Sequence, residues 1–134
     1  MSERGTSLLE IVLALVIFVL ATTGITGAYI SCQQLSDHAT STLQAVNHLD
    51  DIVERIYATP FEDLAADFPA GDADGPAGNP YTAIVGGYVL EDEQIVVTYP
   101  NVSTGRREIQ VTLNWTHRGR ARSTVVSTLR TSNS

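Results

Sequence analysis

The chain has a single cysteine, Cys32, and no lysine at all. One thiol rules out an intramolecular disulfide framework, so the fold must rest on packing and hydrogen bonds. Cys32 is read as a small apolar filler near a membrane boundary. The basic residues are all arginines, eight of them against fifteen acidic residues, for a net charge of −7. Neutralising phosphates takes clustered positive charge, so this balance argues against nucleic-acid binding. The nearest approach to a cluster, Arg118, Arg120 and Arg122, has the spacing of one solvated strand face. Catalytic signatures are missing too. There is no G-x-S-x-G, no phosphate loop and no paired-cysteine motif, and His38, His48 and His117 lack a metal-ligand spacing. No enzyme, catalytic residue, metal ligand or cofactor is expected.

Charge is also absent from residues 11–30, a run of 20 positions. At about 1.5 Å rise per residue this makes about 30 Å of helix, the thickness of a hydrocarbon core. Thr22, Thr23 and Thr26 are tolerable there because their hydroxyls can bond back to helix carbonyls. A cleavable secretory signal has a basic start and an apolar core of roughly 7–15 residues. Here Glu3 and Arg4 cancel and the core is longer, so the segment reads as one that remains in the membrane. The acidic residue at its head, Glu10, stands at the bilayer edge, where an isolated carboxylate costs less than at the midplane. In the first turn it also meets the positive end of the helix dipole, worth about 0.3–1 kcal/mol.

The stretch RGTSLLEIVLALVIF resembles the leader of type IV pilins and type II secretion pseudopilins. In that family a hydrophilic leader ends in Gly, a membrane peptidase cuts after it and the new N-terminus is methylated. The fifth mature residue is Glu, and a long apolar helix follows. The resemblance implies a leader at residues 1–5, cleavage between Gly5 and Thr6, methylation of Thr6 and Glu10 at the fifth mature position. Thr6 stands where the family usually has Phe. Burying the Thr6 amine and the Glu10 carboxylate in a filament is costly unless they pair. An incoming Glu10 can therefore meet the Thr6 amine of a docked subunit and set axial register, and a self-pair is also open, since Thr6 and Glu10 are four apart on one helix face.

Beyond the apolar run, Leu35, Ala39, Leu43, Val46, Leu49, Val53 and Ile56 recur at helical spacing as one apolar stripe. Pro60 ends the helix, which is predicted over residues 7–58. Gly24 and Gly27 weaken it by about 1 kcal/mol each, and membrane helices use such residues for close packing. Residues 60–81 form a Gly-, Pro- and Asp-rich connecting loop with a short helical turn at residues 61–66. Its GDADG places Asp72 and Asp74 as in an acidic calcium loop but lacks the later acidic ligand, and it is read as a turn. Strand signals occupy residues 82–134. TAIVGGYVL and EQIVVTY are apolar runs separated by an acidic EDE turn. IQVTLNW places Ile109, Val111, Leu113 and Trp115 on one face, HRG makes a tight connection, and RARSTVVSTLR returns antiparallel.

The expected architecture is α+β and pilin-like: a long N-terminal helix packed on a small antiparallel meander of three or four strands. Residues 6–31 form its membrane-spanning or filament-core part and residues 32–59 its amphipathic continuation. The resemblance implies a minor pilin or pseudopilin, with the N-terminus cytoplasmic, the head outside, and a later place in a filament. Its partners would be the membrane, the prepilin peptidase, the assembly platform with its ATPase, and like subunits. The competing class is a single-pass anchored binding module that never polymerises.

Overall fold

A computed structural model describes residues 7–71 and 81–132. The expected cleavage site at Gly5 and Thr6 lies outside the described residues, as does the acidic turn of Asp72 and Asp74. The elements are α1 (Leu8–Ala58), α2 (Leu64–Asp67), α3 (Tyr81–Ile84), β1 (Glu91–Thr98), β2 (Val102–Ser103), β3 (Arg106–His117) and β4 (Arg120–Thr131). The arrangement is α+β, a long N-terminal helix packed against a small antiparallel sheet of four strands. The chain divides into two compact units between Ala39 and Thr40.

In the second unit β3 is the central strand. β1 and β2 both pair with one of its edges, and β4 pairs with the other in unbroken register from Arg106↔Thr131 to His117↔Arg120. The β3–β4 turn is Arg118-Gly119, with φ of 52° and 72°. Positive φ at both central residues gives a turn whose twist matches the strands it joins. The alternation read in β3 holds: Ile109, Val111, Leu113 and Trp115 are all buried. They meet Ala45, Leu49, Ile52 and Ile56 of α1, with Ile95 and Val97 of β1 and Leu64, Phe68 and Tyr81 closing the core. The rings of Phe68 and Tyr81 stack with centroids 5.9 Å apart.

Three readings need correction. TAIVGGYVL is not a strand: Tyr81–Ile84 is a helical turn, and Gly86 and Gly87 adopt φ of 76° and 110°, open to glycine but strained for other residues. The EDE stretch is not a turn but the start of β1, with a bulge between Glu91 and Gln94 that lets Glu93 point inward. The buried stripe of α1 is Ser41, Ala45, His48, Leu49, Ile52 and Ile56, whereas Leu35 and Leu43 are 70% and 61% exposed.

The end of α1 is fastened by neighbouring arginines of the sheet. Arg130 donates to the Thr59 carbonyl at 2.9 Å and lies over the Tyr57 ring, 5.4 Å from its centroid. Its register partner Arg107 donates to the Phe61 carbonyl at 3.2 Å and covers the Phe61 ring at 4.7 Å. Cations here complement the negative end of the helix, and each covered ring adds roughly 0.5–1 kcal/mol.

Tyr99 ties β1 to the segment around α2. Its hydroxyl lies 2.7 Å from the Phe68 carbonyl and 2.9 Å from that of Leu64, and it can donate to either. Burial pushes its pKa above the usual tyrosine value, with Arg107 opposing the shift. A raised pKa means that the folded state favours the protonated hydroxyl. Its contribution is therefore complete below about pH 10 and is lost as pH rises through the folded-state value. Tyr99→Phe should lower unfolding stability in urea by about 1 kcal/mol at neutral pH. Above about pH 10 the unmodified chain should lose stability more steeply than the variant.

Candidate functional site

The feature with functional content is the first unit's part of α1. The helix begins after Ser7, whose hydroxyl accepts from the Leu9 N–H at 3.3 Å and whose carbonyl accepts from the Glu10 N–H at 2.8 Å. Glu10 follows in the first turn, exposed. Ser7 and Glu10 thus stand in the S-x-x-E spacing of a capping box, in which a hydroxyl and a carboxylate serve the orphan N–H groups of a helix start. That signal was in the sequence, and a reading centred on Glu10 passes over it.

From Leu8 onward the helix shows hydrocarbon on all sides. It is long and apolar enough to cross a membrane, and none of its most apolar stretch is buried. Phe18, at 65% exposure, typifies the run. The polar residues inside it turn their hydroxyls on the helix itself, as expected. Thr22 donates to the carbonyls of Phe18 and Val19 at 2.9 and 3.0 Å, Thr23 to Val19 at 2.7 Å and Thr26 to Thr22 at 2.8 Å. Ser31 does the same to Gly27 at 3.0 Å. α1 continues without interruption through Gly24 and Gly27, and a Cβ added at either would meet nothing within 4 Å. Those two positions leave room for a neighbour to approach the backbone closely. Cys32 is exposed and fills no core.

The second unit holds one buried polar contact that sequence reasoning missed. Glu93, on β1, is buried and meets His48 Nδ1 on α1 through Oε1. Its Oε2 accepts from the Val89 and Leu90 N–H groups at 3.1 and 3.0 Å. One carboxylate therefore holds the helix, the segment before β1 and the bulged start of that strand together. The two side chains are 45 residues apart, and no local spacing announces the pair. Among the described residues no three His, Cys, Asp or Glu side chains gather where they could hold a metal ion. Chemically, the described part of the first unit offers a carboxylate, Glu10, at the head of its apolar run, suited to pairing with a cation. No protein-family model, curated protein or solved structure matches the chain.

Proposed function

We propose that the chain is the precursor of a minor pilin or pseudopilin, a subunit of a type IV pilus-like filament or a type II secretion pseudopilus. In this reading a prepilin peptidase cuts between Gly5 and Thr6, and Thr6 is methylated. The membrane holds the helix with the head outside the cytoplasm. A platform protein and an ATPase then draw it into a filament of like subunits. Glu10 of the incoming chain pairs with the Thr6 amine of its docked neighbour.

The observation that carries the reading is one of register. Gly5, Glu10 and an uncharged run of 20 residues stand in the required order, and the helix they begin is exposed along its apolar length. A filament core would bury that surface as a bilayer does, and burial of apolar area is the driving force in water. One observation favours the anchored module that never polymerises. Glu10 lies in the first turn of α1, where a carboxylate complements the positive end of the helix dipole without any partner.

Intact-mass and N-terminal peptide spectrometry of the chain from cells that carry a prepilin peptidase tests the reading. The expected product begins at Thr6 and carries one added methyl. Because the chain has no lysine, an amine-directed tag reports the chain end alone. A product that keeps residues 1–5 would overturn the proposal.

A further inference from the structure

The sheet has two edges, and they are treated differently. On the β1 side the segment after α2 reaches the edge near its C-terminal end, where the Gly71 N–H donates to the Val97 carbonyl at 2.7 Å. On the other side lies β4, twelve residues in regular pairing with β3, with no proline, lysine or bulge along it. The alternation of an antiparallel ladder decides which backbone groups β3 takes up. The Ser132 N–H bonds to the Gly105 carbonyl at 2.8 Å, so the even-numbered residues of β4 turn their backbone groups toward β3. The N–H and C=O groups of Ala121, Ser123, Val125, Ser127, Leu129 and Thr131 therefore face outward. Their side chains form an exposed row with no charge on it. Prolines and bulges, which ordinarily blunt so long an edge, are absent from it, and the charges it carries are the arginines Arg120, Arg122 and Arg130.

Charge indicates what the edge would take. All fifteen acidic residues precede Ile109, and four arginines follow it. Arg120, Arg122 and Arg130 lie on the other side-chain row of β4, the row of Thr128. A second copy of β4 laid antiparallel on this edge would bring arginines near arginines, and like charges across a strand pair are unfavourable.

We propose that β4 is a docking edge for an extended acidic segment of a partner protein, added as a fifth, antiparallel strand. Its carboxylates would face Arg120 and Arg122, Arg130 being engaged with Thr59 and Tyr57, and its apolar or β-branched residues would continue the row of Val125 and Leu129. Backbone hydrogen bonds would supply affinity, and the two rows would supply the choice of sequence. This inference rests on strand register and charge and does not depend on processing or filament assembly.

The test uses the full chain in detergent micelles and a dye-labelled eight-residue peptide alternating Val and Glu, followed by fluorescence anisotropy. Val125→Pro removes one outward N–H and no bond to β3, the situation in which an edge strand tolerates proline. It should weaken binding at least tenfold, with circular dichroism showing the sheet retained. Arg120→Glu, at an exposed position, should weaken binding several-fold without touching the backbone. A peptide alternating Val and Arg should bind at least tenfold more weakly than the Val–Glu peptide. No binding of the Val–Glu peptide, equal binding of the two peptides, or indifference to both substitutions would overturn the proposal. So would self-association of the chain in sedimentation velocity that Val125→Pro abolishes, because the occupant would then be a second copy.

Discussion

If the chain is cut and assembled as proposed, replacing Glu10 by alanine should leave the precursor inserted and cut, while its share of sheared or purified filaments falls at least tenfold relative to the parent chain. The physical reason is the environment after assembly. A chain-terminal amine and a carboxylate leave water and lipid headgroups for an apolar bundle, and each is costly there without the other. Removing the carboxylate strands the amine, and a loss of about 1.4 kcal/mol already corresponds to tenfold. Ser7→Ala separates this from the helix-cap account. Losing the cap weakens the helix start by about 1 kcal/mol but leaves both charges in place. Incorporation of Ser7→Ala should stay near the parent level. Equal losses in the two variants would assign Glu10 to the cap, and normal incorporation of Glu10→Ala would remove the pairing role.

A second large effect is expected at Glu93. Glu93→Ala should lower the stability of the second unit by about 3 kcal/mol, read from urea unfolding with the fluorescence of Trp115, the one tryptophan. The substitution leaves the buried His48 ring without its partner and the part-buried Val89 and Leu90 N–H groups without their acceptor. Orphaned buried donors cost more than the bonds themselves contribute, roughly 1–3 kcal/mol each before relaxation and water entry. For a domain of this size the whole margin is about 5–15 kcal/mol, so the loss should be plain in the midpoint. Glu93→Gln keeps an oxygen for the two backbone donors and should recover part of the difference. A Glu93→Ala midpoint equal to that of the parent chain would mean that the carboxylate does not hold these elements together.

The sequence shows some of this fold plainly and hides the rest for identifiable reasons. β3 is legible because the partners of Ile109, Val111, Leu113 and Trp115 all lie on one side, which imposes strict alternation. The helix is legible over nearly its full length, because an uncharged run followed by period-3.6 apolar residues has no other conformation to adopt. Which face it buries is less so. Leu49 and Ile56 were identified correctly, but Ser41 and His48 lie in the buried stripe while Leu35 and Leu43 face outward. Polar residues enter that stripe because their partners come from elsewhere in the chain. Glu93 misled for the same reason: three acids in a row suggest a turn, and only a bulge lets the third reach His48. TAIVGGYVL misled because β-branched composition outweighed two adjacent glycines, whose backbone angles no ordinary strand uses. In the candidate site, Glu10 and the apolar run were legible, and the cap supplied by Ser7 was there to be seen.

The hydroxyls of Thr22, Thr23, Thr26 and Ser31 are already committed to carbonyls one turn back, so they have no hydrogen left to give away. In the filament proposed above an adjoining rod would meet mainly contour there, bumps and two shallow notches, with little to give it a directional grip. Contacts of that kind adhere without dictating a stagger, and chains could slide or swivel along one another until some feature at their ends stopped them.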